Sequence, residues 1–384
     1  MSGRKKTKTI AESLVLLLLV VAPFVSGQEN SQPIEPASSR ERPLVAVDVR
    51  KFGYKPRGSG FVDPLSLAFT ESNQLLVAWA ASDDSRNWTK EPSTTPAPSH
   101  LHSVVLDART GEVEHSGEWP SRYVHAIITP VGKEHFLICA VDEIRLLSND
   151  FTTIRDQFLP APVTCRGMRL SPSRHSFSLT SGLDHHVMDA ESFQPLAEWS
   201  SKDATHVIFT DALLVGACGP DFDLCTREFN QQWQPSTVVG MKQSLKMYGT
   251  VGPTLLNDTA LSIANGGKMV VVTLEGSILL HVTLPRKFLF ARIATSTGGN
   301  RFAYIEAELR GSRALDMSSD FDDHIVVYDL TEKKAIYTRK VNGGSLWIPP
   351  FEHWNRIAVS ADGTLLAILD DGIIEIYQLP DRKS

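Results

Sequence analysis

The sequence predicts an all-β fold, a seven-bladed β-propeller whose last blade is completed by a strand from the N-terminal end of the domain. Three observations lead to it. First, an apolar run, a small polar turn and a second apolar run recur along the chain. The copies are 65–69 with Thr70-Glu71-Ser72-Asn73 and 75–79, 168–170 with Ser171-Pro172-Ser173-Arg174 and 177–179, 293–294 with 296–300 and 302–305, and 357–359 with Ser360-Ala361-Asp362-Gly363 and 365–369. Second, a strand ending in Asp and a polar turn follow, at Asp107, Asp189 and Asp329, where an Asp side chain caps its own turn. Four strands per unit at a period of roughly 40–55 residues is the period of a propeller blade. Third, the last unit supplies only three strands, and an orphan strand at 44–50 is available to complete it, which leaves few open edges.

Taken in order, the chain begins with targeting rather than with fold. Arg4, Lys5, Lys6 and Lys8 precede the apolar run 14–25, too short to span ~30 Å of hydrocarbon comfortably but suited to a secretory signal. Val25 and Gly27 stand before an expected cut ahead of Gln28. Removing residues 1–27 leaves 34 basic against 43 acidic residues, so the net charge of −6 becomes −9. Residues 28–42 are polar and Pro/Ser-rich, a flexible leader. Residues 43–384 form a single propeller domain with units at 65–119, 123–159, 166–199, 206–239, 250–284, 289–341 and from 355 onward. No later run approaches the length of a membrane span, so a secreted or periplasmic protein without a membrane span is expected.

Composition excludes several classes. At 42% hydrophobic and 21% charged the chain is not disordered; 25 Gly without a triplet period are not collagen, and 4 Cys cannot staple a chain this long. The acidic balance argues against a nucleic-acid binder. Export makes the cysteines disulfide candidates: Cys218 and Cys225 flank a turn-rich segment, and Cys139 and Cys165 are left for each other, with free buried thiols as the alternative.

The repeat resembles the WD40-like and YVTN-type seven-bladed propellers of bacteria over nearly the whole chain after residue 43. It departs from a standard WD40 array in having no paired Gly-His and Trp-Asp signature. The segment 106–115 is similar to the blade motif of quinone-cofactor dehydrogenases, but His115 stands where that motif closes with Trp. No cofactor is expected.

Motifs for serine hydrolysis, phosphate loops and zinc peptidases are absent. His100 and His102, two apart on a strand entry, face one side and would bind Zn²⁺ with a third ligand. Asp316, Asp320, Asp322, Asp323 and His324 concentrate oxygen ligands suited to Ca²⁺ but lack the spacing of a calcium loop. In both places the reading adopted is a solvated polar loop, and no metal is expected.

Blade topology says more. Connections from the outer strand of one blade to the inner strand of the next open on the same face as those joining second to third strands. The insertions 80–99, with Trp88, and 308–323 are of the second kind; the connection 342–355, with Trp347, Phe351, His353 and Trp354, is of the first. All three converge on one sector of that face, where binding sites tend to lie. Inter-blade connections there carry Lys55, Arg57, Arg122, Arg166, Lys202, Lys242, Lys246, Arg286, Lys287 and Arg356, a basic ring favouring an anionic ligand. The expected function is a monomeric, non-enzymatic binding or scaffold module for a protein, peptide or small anionic ligand; the alternative is a lactonase-like propeller hydrolase with its site at the channel mouth.

Overall fold

The structure is a computed structural model. It describes residues 42–54, 65–82, 99–121, 127–140, 143–165, 168–218, 223–229, 231–235, 254–265, 268–275, 277–283, 288–309, 321–341, 356–370 and 372–381. The expected signal, its cleavage position and all of the leader but Arg42 lie outside these residues. Among the described residues no helix is long and apolar enough to cross a membrane.

Seven four-stranded antiparallel sheets follow one another along the chain. Strand β1 (Val45–Asp48) runs into a single 3₁₀ turn, Val49–Phe52. Blade 1 holds β2 (Leu65–Phe69), β3 (Gln74–Ser82), β4 (Ser99–Asp107) and β5 (Val113–Ser121). Blade 2 holds β6 (Ile127–Val131), β7 (His135–Cys139), β8 (Glu143–Leu147) and β9 (Thr153–Phe158). Blade 3 holds β10 (Val163–Thr164), β11 (Ser176–Ser181), β12 (Asp184–Asp189) and β13 (Pro195–Ser200). Blade 4 holds β14 (Ala204–Phe209), β15 (Leu213–Cys218), β16 (Asp223–Glu228) and β17 (Gln234–Pro235). Blade 5 holds β18 (Thr254–Leu255), β19 (Ala260–Asn265), β20 (Lys268–Thr273) and β21 (Ile278–Thr283). Blade 6 holds β22 (Phe288–Thr295), β23 (Arg301–Leu309), β24 (Phe321–Asp329) and β25 (Lys334–Val341). Blade 7 holds β26 (Ile357–Val359), β27 (Leu365–Asp370) and β28 (Ile373–Gln378), with β1 as its fourth strand, Val45 opposite Ile376 and Val47 opposite Ile374.

One difference from the sequence concerns blade 3. Residues 168–170 were expected as its inner strand, yet that strand is β10, and of the expected stretch only Leu170 makes an isolated bridge, to Phe177. The Arg169 N–H donates to the Ser178 hydroxyl at 3.0 Å rather than to a ladder carbonyl, which interrupts regular pairing.

Both faces of a blade are buried against neighbours, which is why the strands read as continuous apolar runs rather than alternating ones. In β3, Leu75, Val77 and Trp79 pack toward blade 7, whereas Leu76 and Ala78 pack toward blade 2. Seven apolar clusters result, one at each junction between consecutive blades. The cluster joining blade 7 to blade 1, with Ile374 and Ile376 against Leu67 and Val77, closes the ring.

The recurring Asp is explained by its turn. Asp107 accepts the N–H groups of Arg109 and Thr110, Asp189 those of Glu191 and Ser192, and Asp329 those of Thr331 and Glu332. At Asp107 these hydrogen bonds hold the carboxyl below the usual carboxylate range. At Asp189 and Asp329 burial pushes the other way and the hydrogen bonds outweigh it. The other recurring turn uses a hydroxyl: those of Thr70, Ser171, Thr210 and Ser360 accept the N–H groups of Gln74, Ser176, Leu213 and Leu365.

Candidate functional site: two unequal rims

Alternating strand directions put the turns between first and second strands, and between third and fourth, on one rim, here called the lower. Apart from 165–175, each lower-rim turn between named strands has at most five residues. The upper rim receives every other connection, including the long ones at 49–64, 83–98, 236–253, 310–320 and 342–356. Three of these correspond to the elaborations expected from the sequence, and 49–64 and 236–253 add two more.

Lower turns of neighbouring blades are bonded to one another at several junctions. Asn73 of blade 1 donates to Asp362 of blade 7 at 2.9 Å, and Gly298 of blade 6 to the Ala361 carbonyl of blade 7 at 3.2 Å. Asn257 of blade 5 donates to the Gly299 carbonyl of blade 6 at 3.1 Å. Gly299 has φ +66°, and a Cβ there would lie 2.2 Å from the Asn257 Cβ, so only glycine fits. Ser173 and Ser176 of blade 3 both donate to Asp211 of blade 4. Gly132 of blade 2 donates to the Arg174 carbonyl of blade 3 at 3.2 Å, and the Arg174 guanidinium donates to the Phe69 carbonyl of blade 1. Burial pulls that guanidinium down to about 10, with the charge of Glu71 opposing the shift. A rim consumed in this way by its own contacts is scaffold.

Several upper-rim side chains are described. In blade 1, Trp79 stacks on His102 with ring centroids 5.7 Å apart and meets Tyr54 edge-on at 6.1 Å. His100 Nδ1 lies 2.8 Å and His102 Nδ1 3.7 Å from the two carboxylate oxygens of Glu118. In blade 3, His185 stacks on Trp199 at 4.6 Å; its Nε2 is 2.7 Å from the Ser201 hydroxyl and its Nδ1 3.3 Å from the Thr180 hydroxyl. Burial first, then the charge of Arg169, lowers the His185 pKa. A threonine rather than a carboxylate stands behind this imidazole, so the pair lacks the acid that orients and charges a Ser-His-Asp triad. Between blades 6 and 7, Arg339 lies 3.0 Å from Glu375 and 4.2 Å from the Tyr377 ring centroid.

Of the sequence-predicted binding residues, Lys202 and Arg356 are described: Lys202 is exposed beside Ser201, and Arg356 is half-buried. Trp88, Arg122, Arg166, Arg286, Trp347, Phe351, His353 and Trp354 lie outside the described residues, as do Asp320 and the side chains of Asp322 and Asp323. Cys139 and Cys165 form a disulfide with Cα atoms 5.7 Å apart, joining the second strand of blade 2 to the residue after β10 of blade 3. Cys225 is disulfide-bonded too; the side chain of Cys218 lies outside the described residues. Sequence reasoning found His100 and His102 but missed Glu118. The β4–β5 register places Glu118 opposite His102, and only the bulge near Leu106 hid this from counting along the hairpin.

No protein-family model and no curated protein matches the chain. Solved structures similar to it include the C-terminal WD40 domain of Sif2, at 10% identity over 85% of this chain and 100% of that one, with a TM-score of 0.45. A chain of the Mitotic Checkpoint Complex is similar at 12% identity over 94% and 100%, with a TM-score of 0.48. Hsv2 of Kluyveromyces lactis is similar at 13% identity over 84% and 99%, with a TM-score of 0.45. The class of this protein, a seven-bladed β-propeller, rests on its own seven sheets and their seven junctions.

Proposed function

We propose that this chain is a non-enzymatic binding module, secreted or periplasmic after loss of residues 1–27, that takes a protein, peptide or anionic ligand on its upper rim. The observation that carries the reading is the inequality of the two rims. Apart from 165–175, lower-rim turns are short, and several are bonded to a neighbour's, whereas the long connections 49–64, 83–98, 236–253, 310–320 and 342–356 depart from and return to the upper rim. A rigid scaffold carrying long connections at one end is the usual arrangement of a binding protein. The Cys139–Cys165 disulfide supports an oxidising compartment. Kinship with the WD40-like and YVTN-type propellers of bacteria belongs to the same proposal.

Replacing 83–98 by a short Gly-Ser linker tests it, because Ser82 and Ser99 are paired and their strand ends need no other tether. Capture of partners from the native envelope is expected to fall while the unfolding midpoint stays unchanged. Undiminished capture by the shortened chain would count against the site.

A further inference from the structure

We propose that His100, His102 and Glu118 form a binding site for a divalent transition-metal ion, with Zn²⁺ the best-fitting occupant. The proposal is independent of what the upper rim binds. The two histidines are separated by one residue on β4 and lie on one face of blade 1, and Glu118 stands directly across from His102 on β5. All three therefore come from paired strands rather than from a loop. The two imidazole rings lie side by side, centroids 6.1 Å apart, and both present Nδ1 to the same carboxylate.

Distances favour a shared ion. Ligands about 2.0–2.1 Å from a tetrahedral Zn²⁺ stand roughly 3.3–3.4 Å from one another. The two observed nitrogen-to-oxygen separations, 2.8 Å to one Glu118 oxygen and 3.7 Å to the other, lie on either side of that spacing. Among the described residues no three His, Cys, Asp or Glu side chains stand around a ready metal position. The three side chains must therefore shift together to take up an ion, and the hydrogen-bonded His100–Glu118 contact of 2.8 Å must open for it to enter. On binding, neutral imidazole nitrogens and the carboxylate replace that hydrogen bond with bonds to the metal, and the proton leaves to solvent.

The surroundings suit the role. Trp79 is buried and holds the His102 ring by stacking, within 15° of parallel, so one ligand is oriented before the ion arrives. The three ligand side chains are 41%, 27% and 56% exposed, which gives the ion a route from solvent and leaves coordination positions facing water. Residues of this kind with open positions are the chemistry of a zinc, cobalt or nickel site rather than of a calcium site, which takes oxygen ligands.

The test is titration of the purified chain with zinc chloride by equilibrium dialysis, repeated with cobalt chloride followed by visible absorption and by tryptophan fluorescence. Wild type is expected to take up one zinc ion that the His100→Gln/His102→Gln double variant does not, and Glu118→Gln is expected to weaken uptake by about tenfold or more. Cobalt is expected to give a ligand-field absorption and to quench part of the tryptophan emission through Trp79, both lost in the double variant. Thermal unfolding of the metal-free variants identifies any change in the fold itself; should the double variant be disturbed at Trp79, Glu118→Gln decides alone. No zinc uptake by wild type, or uptake that the substitutions leave unchanged, would overturn the proposal.

Discussion

Replacing Asp329 by alanine is expected to destabilise the ring by about 3–5 kcal/mol, the cost of removing one partner from a buried ion pair. Arg301 and Asp329 are 3% and 0% exposed, and Arg301 Nε donates to Asp329 Oδ2 at 2.8 Å. The same guanidinium reaches the Gly363 carbonyl at 2.8 Å, tying blade 6 to blade 7, while the other Asp329 oxygen caps the Thr331–Glu332 turn. Alanine would leave a buried guanidinium without its counter-charge and two turn N–H groups without their acceptor. Asp329→Asn keeps an acceptor for the turn and is expected to cost less. Burial raises the Asp329 carboxyl, but the bonds from Arg301, Glu332 and Thr331 outweigh it and hold the folded value below the unfolded one. The sign follows. The stability from this pair is fully present above the ordinary Asp value of about 4 and is lost as the pH falls through the lower folded value. Urea midpoints at neutral pH and under acid measure both effects. A midpoint for Asp329→Ala equal to wild type at neutral pH would contradict the argument.

Removing the Cys139–Cys165 bond, by replacing both cysteines with serine, is expected to cost about 3.5 kcal/mol on the loop-entropy account of its closed segment. The bond spans 26 residues, and both cysteines are buried, at 0% and 3% exposure. Its ends belong to different blades, so it restrains the junction of blades 2 and 3 rather than one hairpin. The double serine variant isolates it from the bond at Cys225, which a reductant would break at the same time. Equal denaturation midpoints for wild type and variant would show that the junction holds without it.

Much of the ring was legible because its signals are local. An Asp that caps a turn must sit within three residues of the N–H groups it accepts, so Asp107, Asp189 and Asp329 leave the same short pattern three times. The shortage of one strand in the last unit, with an orphan at the other end, was enough to place β1 against β28. What stayed hidden depends on contacts that leave no local trace. Arg174 meets the Phe69 carbonyl across 105 positions, and nothing around either residue announces it. The contacts that link the lower turns of neighbouring blades are of this kind. Blade 3 misled for a related reason: 168–170 has the composition of a strand, but Arg169 spends its N–H on the Ser178 hydroxyl and its guanidinium on the Val207 carbonyl of blade 4. At the candidate site, two histidines showed themselves by their spacing, and the carboxylate between them waited on a strand register shifted by a bulge.

The central claim is that one rim engages a partner and the other does not. A photo-crosslinking amino acid placed in turn at Trp88 and at Glu71, in otherwise intact chains exposed to the native envelope, tests it directly. Glu71 lies in an exposed part of a lower-rim turn, so that position is open to a neighbour. The account predicts a discrete cross-linked product from the Trp88 position and none from the Glu71 position; the reverse pattern would contradict it.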